Sequence, residues 1–207
     1  MTVISNGTNL INNGALDSAI PTGKMTLIKT LTASGSANLS FVDGASSVVF
    51  DGTYDSYVFK FINMHPASDT SFVFQTSTNG GSSYGVTATT TIFRAYHIEN
   101  GAEALFGYQT SYDLAQSTSD VTLAYTNSSD ADNGCCGVLN FFSPNSSTFV
   151  KNFTSDISTM RNASPDASIR NLGAGYFNTT STINAIQFKM ASGNIDSGVI
   201  KLYGIGG

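Results

Sequence analysis

The chain has 207 residues, and nine Lys and Arg stand against fourteen Asp and Glu, so its net charge is −5. This length fits one domain, with or without an extension. An acidic chain without a basic run argues against nucleic-acid binding, because phosphate contacts need clustered Lys and Arg. No stretch approaches the roughly eighteen apolar residues of a membrane span, and the N-terminus lacks the charged and apolar regions of a secretory signal. We therefore expect neither a nucleic-acid nor a membrane partner.

The N-terminal segment differs in composition from the remainder of the chain. Residues 1–23 contain one proline and no aromatic residue, so they have little with which to build a core. Two interpretations fit: an extended arm that contacts another protein, or an ordinary first strand followed by a loop. We predict an attachment arm over residues 1–32 and one β-sandwich domain over residues 33–207.

Short runs of alternating apolar and polar residues follow along the chain. This period of two is typical of half-buried strands, and the aromatic and β-branched residues in the runs favour the same structure. The sequence therefore predicts an all-β fold, namely an antiparallel, jelly-roll-like β-sandwich. The residues expected on one face of the first three runs are Ala37, Leu39 and Phe41; Tyr57, Phe59 and Phe61; and Phe72 and Phe74.

Turn signals separate these runs. Asn79-Gly80-Gly81 supplies the positive φ angles of a tight hairpin turn, and Pro144-Asn145 predicts another hairpin connection. The Thr-rich run from Val86 to Thr91 favours a strand. The segment from Ile92 to Ala104 is ambiguous, because it fits either a short helix or an irregular crossover.

Candidate catalytic groups are sparse. The two histidines, His65 and His97, are far apart in the sequence and fit turn or strand positions. Gly81-Ser82-Ser83-Tyr84-Gly85 matches a nucleophile motif, but that motif needs a strand before it and a helix after it. Because a Thr-rich run follows, we interpret it as a hairpin turn. We predict no enzyme activity, no catalytic residue and no cofactor.

Metal-ligand patterns are equally weak. Cys135 and Cys136 are adjacent and lack the spacing of a zinc site. We expect one sulfur to pack inward and the other to lie near the surface, as alternation along a strand requires. Asp130, Asp132 and Asn133 resemble the start of a calcium loop, but its later glycine and glutamate are missing. We therefore predict no metal site.

One stretch combines tyrosines with polar side chains that suit a sugar. A sugar face stacks on an aromatic ring, and its hydroxyls need polar partners. Tyrosine enrichment is equally typical of protein interfaces, and an ordinary solvated strand pair is a third interpretation. The candidate glycan or partner contacts are Tyr108, Tyr112, Asp113 and Tyr125.

Three segments carry a resemblance to known proteins. They run from Phe50 to Phe59 and on through Ile62 to Asp69, from Phe74 to Tyr84, and from Gly198 to Ile205. They contain Tyr54-Asp55-Ser56-Tyr57, Gly80-Gly81-Ser82 and a terminal Tyr203-Gly204. In these motifs the chain resembles β-sandwich virion structural proteins of tailed bacteriophages, of the fibre, tail or head-decoration type.

The resemblance implies a non-enzymatic protein of the virion, assembled in the host cytoplasm, that works by protein–protein contact as a capsid decoration, knob or fibre-type accessory. It also implies other virion proteins as partners and a homo-oligomer, with a trimer favoured. The alternative is a receptor- or glycan-binding module at a tail or fibre tip, which would contact a host surface glycan. A third hypothesis, a hydrolase of surface polysaccharide, requires paired carboxylates in a deep cleft.

Overall fold

The computed structural model describes residues 3–5, 8–12, 15–16, 25–161 and 165–206. These residues form fifteen strands and no helix. The strands are β1 (Val3–Ser5), β2 (Thr8–Asn12), β3 (Ala15–Leu16), β4 (Thr26–Ser36), β5 (Leu39–Val42), β6 (Ser56–Pro66), β7 (Thr70–Ser77), β8 (Ala88–Ile98), β9 (Ala104–Tyr108), β10 (Val121–Asn127), β11 (Cys135–Phe142), β12 (Lys151–Arg161), β13 (Ala167–Phe177), β14 (Ala185–Met190) and β15 (Ile195–Ile205).

Two antiparallel sheets enclose the core. The larger has eight strands in the order β4-β15-β6-β11-β12-β13-β8-β9, and the smaller has four in the order β10-β7-β14-β5. Side chains from both sheets share one hydrophobic cluster, which is the arrangement of a sandwich. The predicted all-β antiparallel sandwich is confirmed, while the jelly-roll connectivity stays a prediction.

The predicted N-terminal arm overlaps the eight-stranded sheet. Strand β4 pairs with β15 from Thr26 opposite Gly204 to Ser36 opposite Ile195, so residues 26–32 belong to that sheet. Strands β1, β2 and β3 pair with one another in a separate three-stranded sheet. Residues 1–2, 6–7, 13–14 and 17–24 of the predicted arm lie outside the described residues, and its attachment role stays a prediction.

Phe188 of β14 lies at the centre of the core. Because side chains alternate along a strand, the phenylalanines predicted on one face of β5, β6 and β7 point toward this ring. Its centroid lies 5.0 to 6.2 Å from those of Phe41, Phe59, Phe61, Phe72 and Phe74. Ala37, predicted on the same face as Leu39 and Phe41, instead precedes β5 and is exposed.

Strand β7 departs from the expected alternation, because it is buried on both faces from Phe72 onward. The segment before β10 covers its second face. Gln75 Nε2 donates hydrogen bonds to Thr118 O at 3.1 Å and to Ser119 O at 2.9 Å. This covering segment follows the residues that carry the candidate contacts, so Gln75 ties that region to the core.

The ambiguous segment from Ile92 to Ala104 forms neither a helix nor a crossover. It contains the end of β8 and the turn into β9, and the two strands pair from Phe93 opposite Tyr108 to His97 opposite Ala104. Gly101 has a φ of +74° and closes the turn by donating its N–H to Ile98 O at 2.9 Å. The hairpin lies at one end of the eight-stranded sheet.

The Asn79-Gly80-Gly81 turn forms as predicted, with φ angles of +70° and +80° at its two glycines. Its expected role as a hairpin is wrong, because it links β7 of the small sheet to β8 of the large one. A strand follows Ser83, not a helix, so this serine lies outside a nucleophile elbow. By contrast, the hairpin predicted at Pro144-Asn145 is confirmed, since β11 and β12 pair directly.

Candidate functional site

The β8–β9 hairpin presents exposed aromatic rings on its outward face. Ala88 and Ile92 of β8 are buried, so alternation turns Phe93 outward. The Phe93 ring stacks on Phe106 at 5.9 Å between centroids and meets the Tyr108 ring edge-on at 5.1 Å. Phe106 is 64% exposed, Tyr108 40% and Phe93 37%. We name Phe93, Phe106 and Tyr108 the outer aromatic face.

A carboxylate borders this face. The turn after β9 closes when the Tyr112 N–H donates to Gln109 O at 3.2 Å, which brings Asp113 back toward Tyr108. The Tyr108 hydroxyl donates to Asp113 Oδ2 at 2.5 Å, and this hydrogen bond raises the pKa of the Tyr108 phenol. Flat apolar rings with a polar rim suit either a protein surface or a sugar face.

The opposite face of β8 carries an arginine in contact with two tyrosine rings. Arg94 follows the inward Ile92 by two residues, so it points toward the small sheet. Its guanidinium carbon lies 4.8 Å from the centroid of Tyr96 and 4.7 Å from that of Tyr125, which belongs to β10. The Tyr112 ring then packs on Tyr125 at 4.7 Å. Cation–π contacts with two rings attract the guanidinium to this aromatic surface.

A second arginine adds positive charge beside Tyr125. Burial would by itself raise the pKa of the Tyr125 phenol, but hydrogen bonds with Thr126 and Arg161 and the charges of Arg94 and Arg161 outweigh it and lower the pKa. The Nε atoms of Arg94 and Arg161 are buried and have no hydrogen-bond partner among the described residues. We name Arg94, Tyr96, Tyr112, Tyr125 and Arg161 the arginine–tyrosine cluster.

The four residues predicted as glycan or partner contacts lie in this region, but on opposite faces. Tyr108 and Asp113 form one pair on the outer side. Tyr112 and Tyr125 form the other in the arginine–tyrosine cluster. The structure thus divides one sequence stretch into two surfaces, and the role of all four residues as contacts stays a prediction.

Sequence reasoning missed Phe93, Arg94, Phe106 and Arg161. A signal existed for the first two residues. In a strand, Phe93 lies on one face, and Arg94 and Tyr96 lie on the other. Assigning the segment from Ile92 to Ala104 to a strand would have separated an outward ring from an inward arginine. Arg161 gives no comparable signal, because only the pairing of β12 through β13 to β8 brings it near.

A polar pocket of about 440 Å³ lies beside an irregularity in β6. Asn63 has a φ of +49°, and the pairing of β6 shifts register against both β11 and β15. His65 lines the pocket and donates its Nδ1–H to Asn133 O at 2.7 Å. Asp132 and Asp196 also line it, but both are exposed, whereas the hydrolase hypothesis requires a deep cleft. Among the described residues, no group of three or more His, Cys, Asp or Glu could hold a metal ion.

The paired cysteines lie next to this pocket and take the predicted orientations. Cys135 is buried and Cys136 exposed, and burial raises the pKa of the Cys135 thiol. Cys136 Sγ accepts a hydrogen bond from the Asn63 N–H and donates one to Asn63 Oδ1, both at 3.2 Å. The exposed thiol therefore helps to hold the irregular backbone at Asn63.

Comparison with protein-family models, with curated proteins and with solved structures found no match. In the part of the chain that the structure describes, no helix is long and apolar enough to cross a membrane. Support for a function therefore comes from the short motifs of the sequence and from the geometry around β8 and β9.

Proposed function

We propose that the chain is a structural protein of a tailed-bacteriophage virion, of the decoration, knob or fibre type, that works by protein–protein contact. The observation that carries this proposal is strand β9, which ends the eight-stranded sheet and exposes Leu105, Phe106 and Tyr108. An edge strand offers unpaired backbone groups to another chain, and exposed apolar patches mark contact sites. Both properties coincide at this one edge.

The partner that best suits the β9 edge is a second copy of the same chain. Each copy has a net charge of −5, so two copies repel unless they meet through uncharged surface. Strand β9 has the sequence ALFGY, without a charged side chain. If the β9 edge of each copy meets a different surface of the next, the contacts close into a symmetric ring, and a trimer is the state that we propose.

The mass of the purified protein in solution tests this contact. We expect light scattering to give three times the 21.7 kDa of the chain for the wild type, and the monomer mass for Phe106→Ser. Phe149→Ser is the matched control, because Phe149 is 70% exposed but precedes β12, away from the edge. A monomeric wild type, or an unchanged oligomer in Phe106→Ser, would contradict the proposed contact.

Incorporation into particles tests the virion assignment and the arm separately. We propose that the N-terminal segment attaches the protein to another virion protein. Because β4 begins at Thr26, deletion of residues 1–24 removes this segment and leaves the sheet intact. We expect the full chain to co-purify with particles and the shortened chain to be lost from them. Absence of the full chain from particles refutes the assignment, and unchanged incorporation of the shortened chain refutes the arm.

The second candidate function is a receptor- or glycan-binding module at a tail or fibre tip. The observation that favours it is the Tyr108–Asp113 pair beside two exposed phenylalanine rings. A glycan array on the purified protein separates the two functions. Binding that is lost in Tyr108→Ala but kept in Tyr203→Ala, an outward tyrosine on β15, would support the glycan function. An array without reproducible binding would remove it.

A further inference from the structure

Two of the three arginines in the chain converge on Tyr125. Arg94 contributes its guanidinium from β8 at 4.7 Å from the Tyr125 ring, and Arg161 reaches the same phenol from the end of β12. The third arginine, Arg170, instead donates two hydrogen bonds to the Asp156 carboxylate, at 2.8 and 2.5 Å. The two kinds of arginine environment are therefore distinct within one molecule.

The hydrogen-bonding groups of the cluster are incompletely matched. The Nε atoms of Arg94 and Arg161 are buried without a partner among the described residues, and a buried donor without an acceptor is uncommon enough to need an explanation such as an ion. The Arg94 guanidinium carbon lies over the Tyr96 and Tyr125 rings, and a guanidinium carries its N–H donors in its own plane. A carboxylate or phosphate approaches a guanidinium in that plane and accepts two parallel hydrogen bonds.

We propose that the arginine–tyrosine cluster binds an oxyanion, a carboxylate or a phosphate group carried by a small ligand such as an acidic sugar. Arg94 and Arg161 supply the charge and the in-plane donors, while Tyr112 and Tyr125 supply an aromatic wall with hydroxyl groups. All of these side chains are half-buried, so a bound group would lose part of its water and interact more strongly with the charges. This inference does not rest on the virion assignment.

Three acids lie near the cluster: Glu103, Asp113 and Asp166, which precedes the Ala167 opposite Arg161. Glu103 accepts a hydrogen bond from the Tyr96 hydroxyl, and Asp113 accepts one from Tyr108 on the other face. The chain as a whole carries a net charge of −5, so its surface does not attract anions in general. Saturable binding of an anion would therefore report on this local pair of arginines.

Nitrogen-15 NMR of the arginine Nε–H groups tests the proposal directly on the wild-type protein. The probes are sodium glucuronate, inorganic phosphate, glucose as the neutral counterpart of glucuronate, and sodium chloride at matched ionic strength. We expect glucuronate, phosphate or both to shift the Arg94 and Arg161 resonances in a saturable way, while glucose and chloride do not. Shifts with glucuronate alone identify a sugar carboxylate, and shifts with phosphate alone identify a phosphate group. No saturable shift with either anion overturns the proposal.

Matched substitutions then test the residues. We expect Arg94→Met and Arg161→Met each to weaken binding of the active anion about tenfold or more, because each removes a charged donor. Arg170→Met is the control and should bind like the wild type. Arg94→Lys keeps the charge without the planar fork and should bind more weakly than the wild type. Since loss of Arg94 also removes stacking, each variant is first checked for a folded spectrum. A folded Arg161→Met with unchanged affinity would overturn the assignment of the site.

Discussion

The core and the β8–β9 hairpin both contain packed phenylalanine rings, but the rings are buried in the core and exposed on the hairpin. Phe188 is fully buried and lies within 6.2 Å of five other phenylalanine rings. Phe106 is largely exposed and stacks on Phe93, which is itself half open to solvent. Burial removes apolar surface from water and so stabilises the fold, whereas the exposed rings leave that surface in contact with water. The comparison shows that residue type alone does not tell a core ring from a contact ring.

Two cationic side chains, Lys151 and Arg94, also differ in how completely their donors are hydrogen-bonded. Lys151 is fully buried, and its Nζ donates to the carbonyl oxygens of Ser146, Phe149 and Thr179 at 2.7, 2.8 and 3.2 Å. Burial lowers the pKa of its ammonium group, yet all three of its donors have acceptors. The buried Nε of Arg94 has no hydrogen-bond partner among the described residues. Within the described part of the chain, every donor of the Lys151 ammonium group therefore has an acceptor, whereas the Nε of the proposed binding arginine has none.

The largest expected effect comes from emptying the centre of the core. Phe188→Ala should lower the free energy of unfolding by about 3–5 kcal/mol, because it removes a buried ring and leaves a cavity. In the monomer, Phe106→Ala should change it by no more than about 0.5 kcal/mol, as is usual for an exposed position. Urea denaturation of both variants measures the difference. Similar losses in the two would show that the edge ring is part of the core.

The next effect concerns the buried lysine. Lys151→Met should lower the free energy of unfolding by about 2 kcal/mol, because three carbonyl groups lose a charged donor while the apolar stem is kept. The control is Lys189→Met, which removes a half-exposed ion pair of 2.9 Å with Asp120 and should cost about 0–1 kcal/mol. Urea denaturation at neutral pH compares the two. An equal cost would mean that the carbonyl contacts of Lys151 contribute nothing beyond a surface pair.

A smaller effect links the core to the candidate site. Gln75→Leu removes the two hydrogen bonds to Thr118 O and Ser119 O and should cost about 1 kcal/mol. Because these bonds hold the segment that follows Tyr112 and Asp113, amide hydrogen exchange in residues 109–119 should become faster. Gln187→Leu, which loses a bond to Ser40 Oγ at 3.1 Å, is the control. Unchanged exchange in residues 109–119 would show that the hydrogen bonds of Gln75 do not stabilise the candidate site.

The smallest effect is pH-dependent and lies on the outer surface of the large sheet. The hydrogen bonds from Arg170 lower the pKa of Asp156 below its ordinary value of 3.8. A lowered carboxyl pKa contributes stability above the unfolded value, and this stability is lost as the pH falls through the folded pKa. Asp156→Asn should therefore be slightly less stable than the wild type at neutral pH and should approach it in acid. Both partners are exposed, so the difference should be smaller than those above. A difference that persists unchanged at pH 2 would argue against the ion pair as its source.

Local patterns in the sequence were enough to predict the all-β class and much of the core. Tyr57, Phe59 and Phe61 alternate within one strand, and the opposite exposures of Cys135 and Cys136 follow from the same period of two. The turn at Asn79-Gly80-Gly81 follows from the positive φ angles that glycine tolerates. These features depend on neighbouring residues, so they can be recognised without knowing which strands pair.

The tertiary structure alone decided what the sheets bring together. The tight turn at Gly80 and Gly81 leads to the other sheet instead of forming a hairpin, and the cover over Gln75 comes from a segment more than forty residues away. Arg94, Tyr125 and Arg161 lie on strands of two different sheets and meet where the sheets face each other. Pairing between distant strands depends on the combined packing of the whole core, which no short window of sequence contains. The periodicity of the residues therefore determined the strands, and their long-range pairing determined the candidate site.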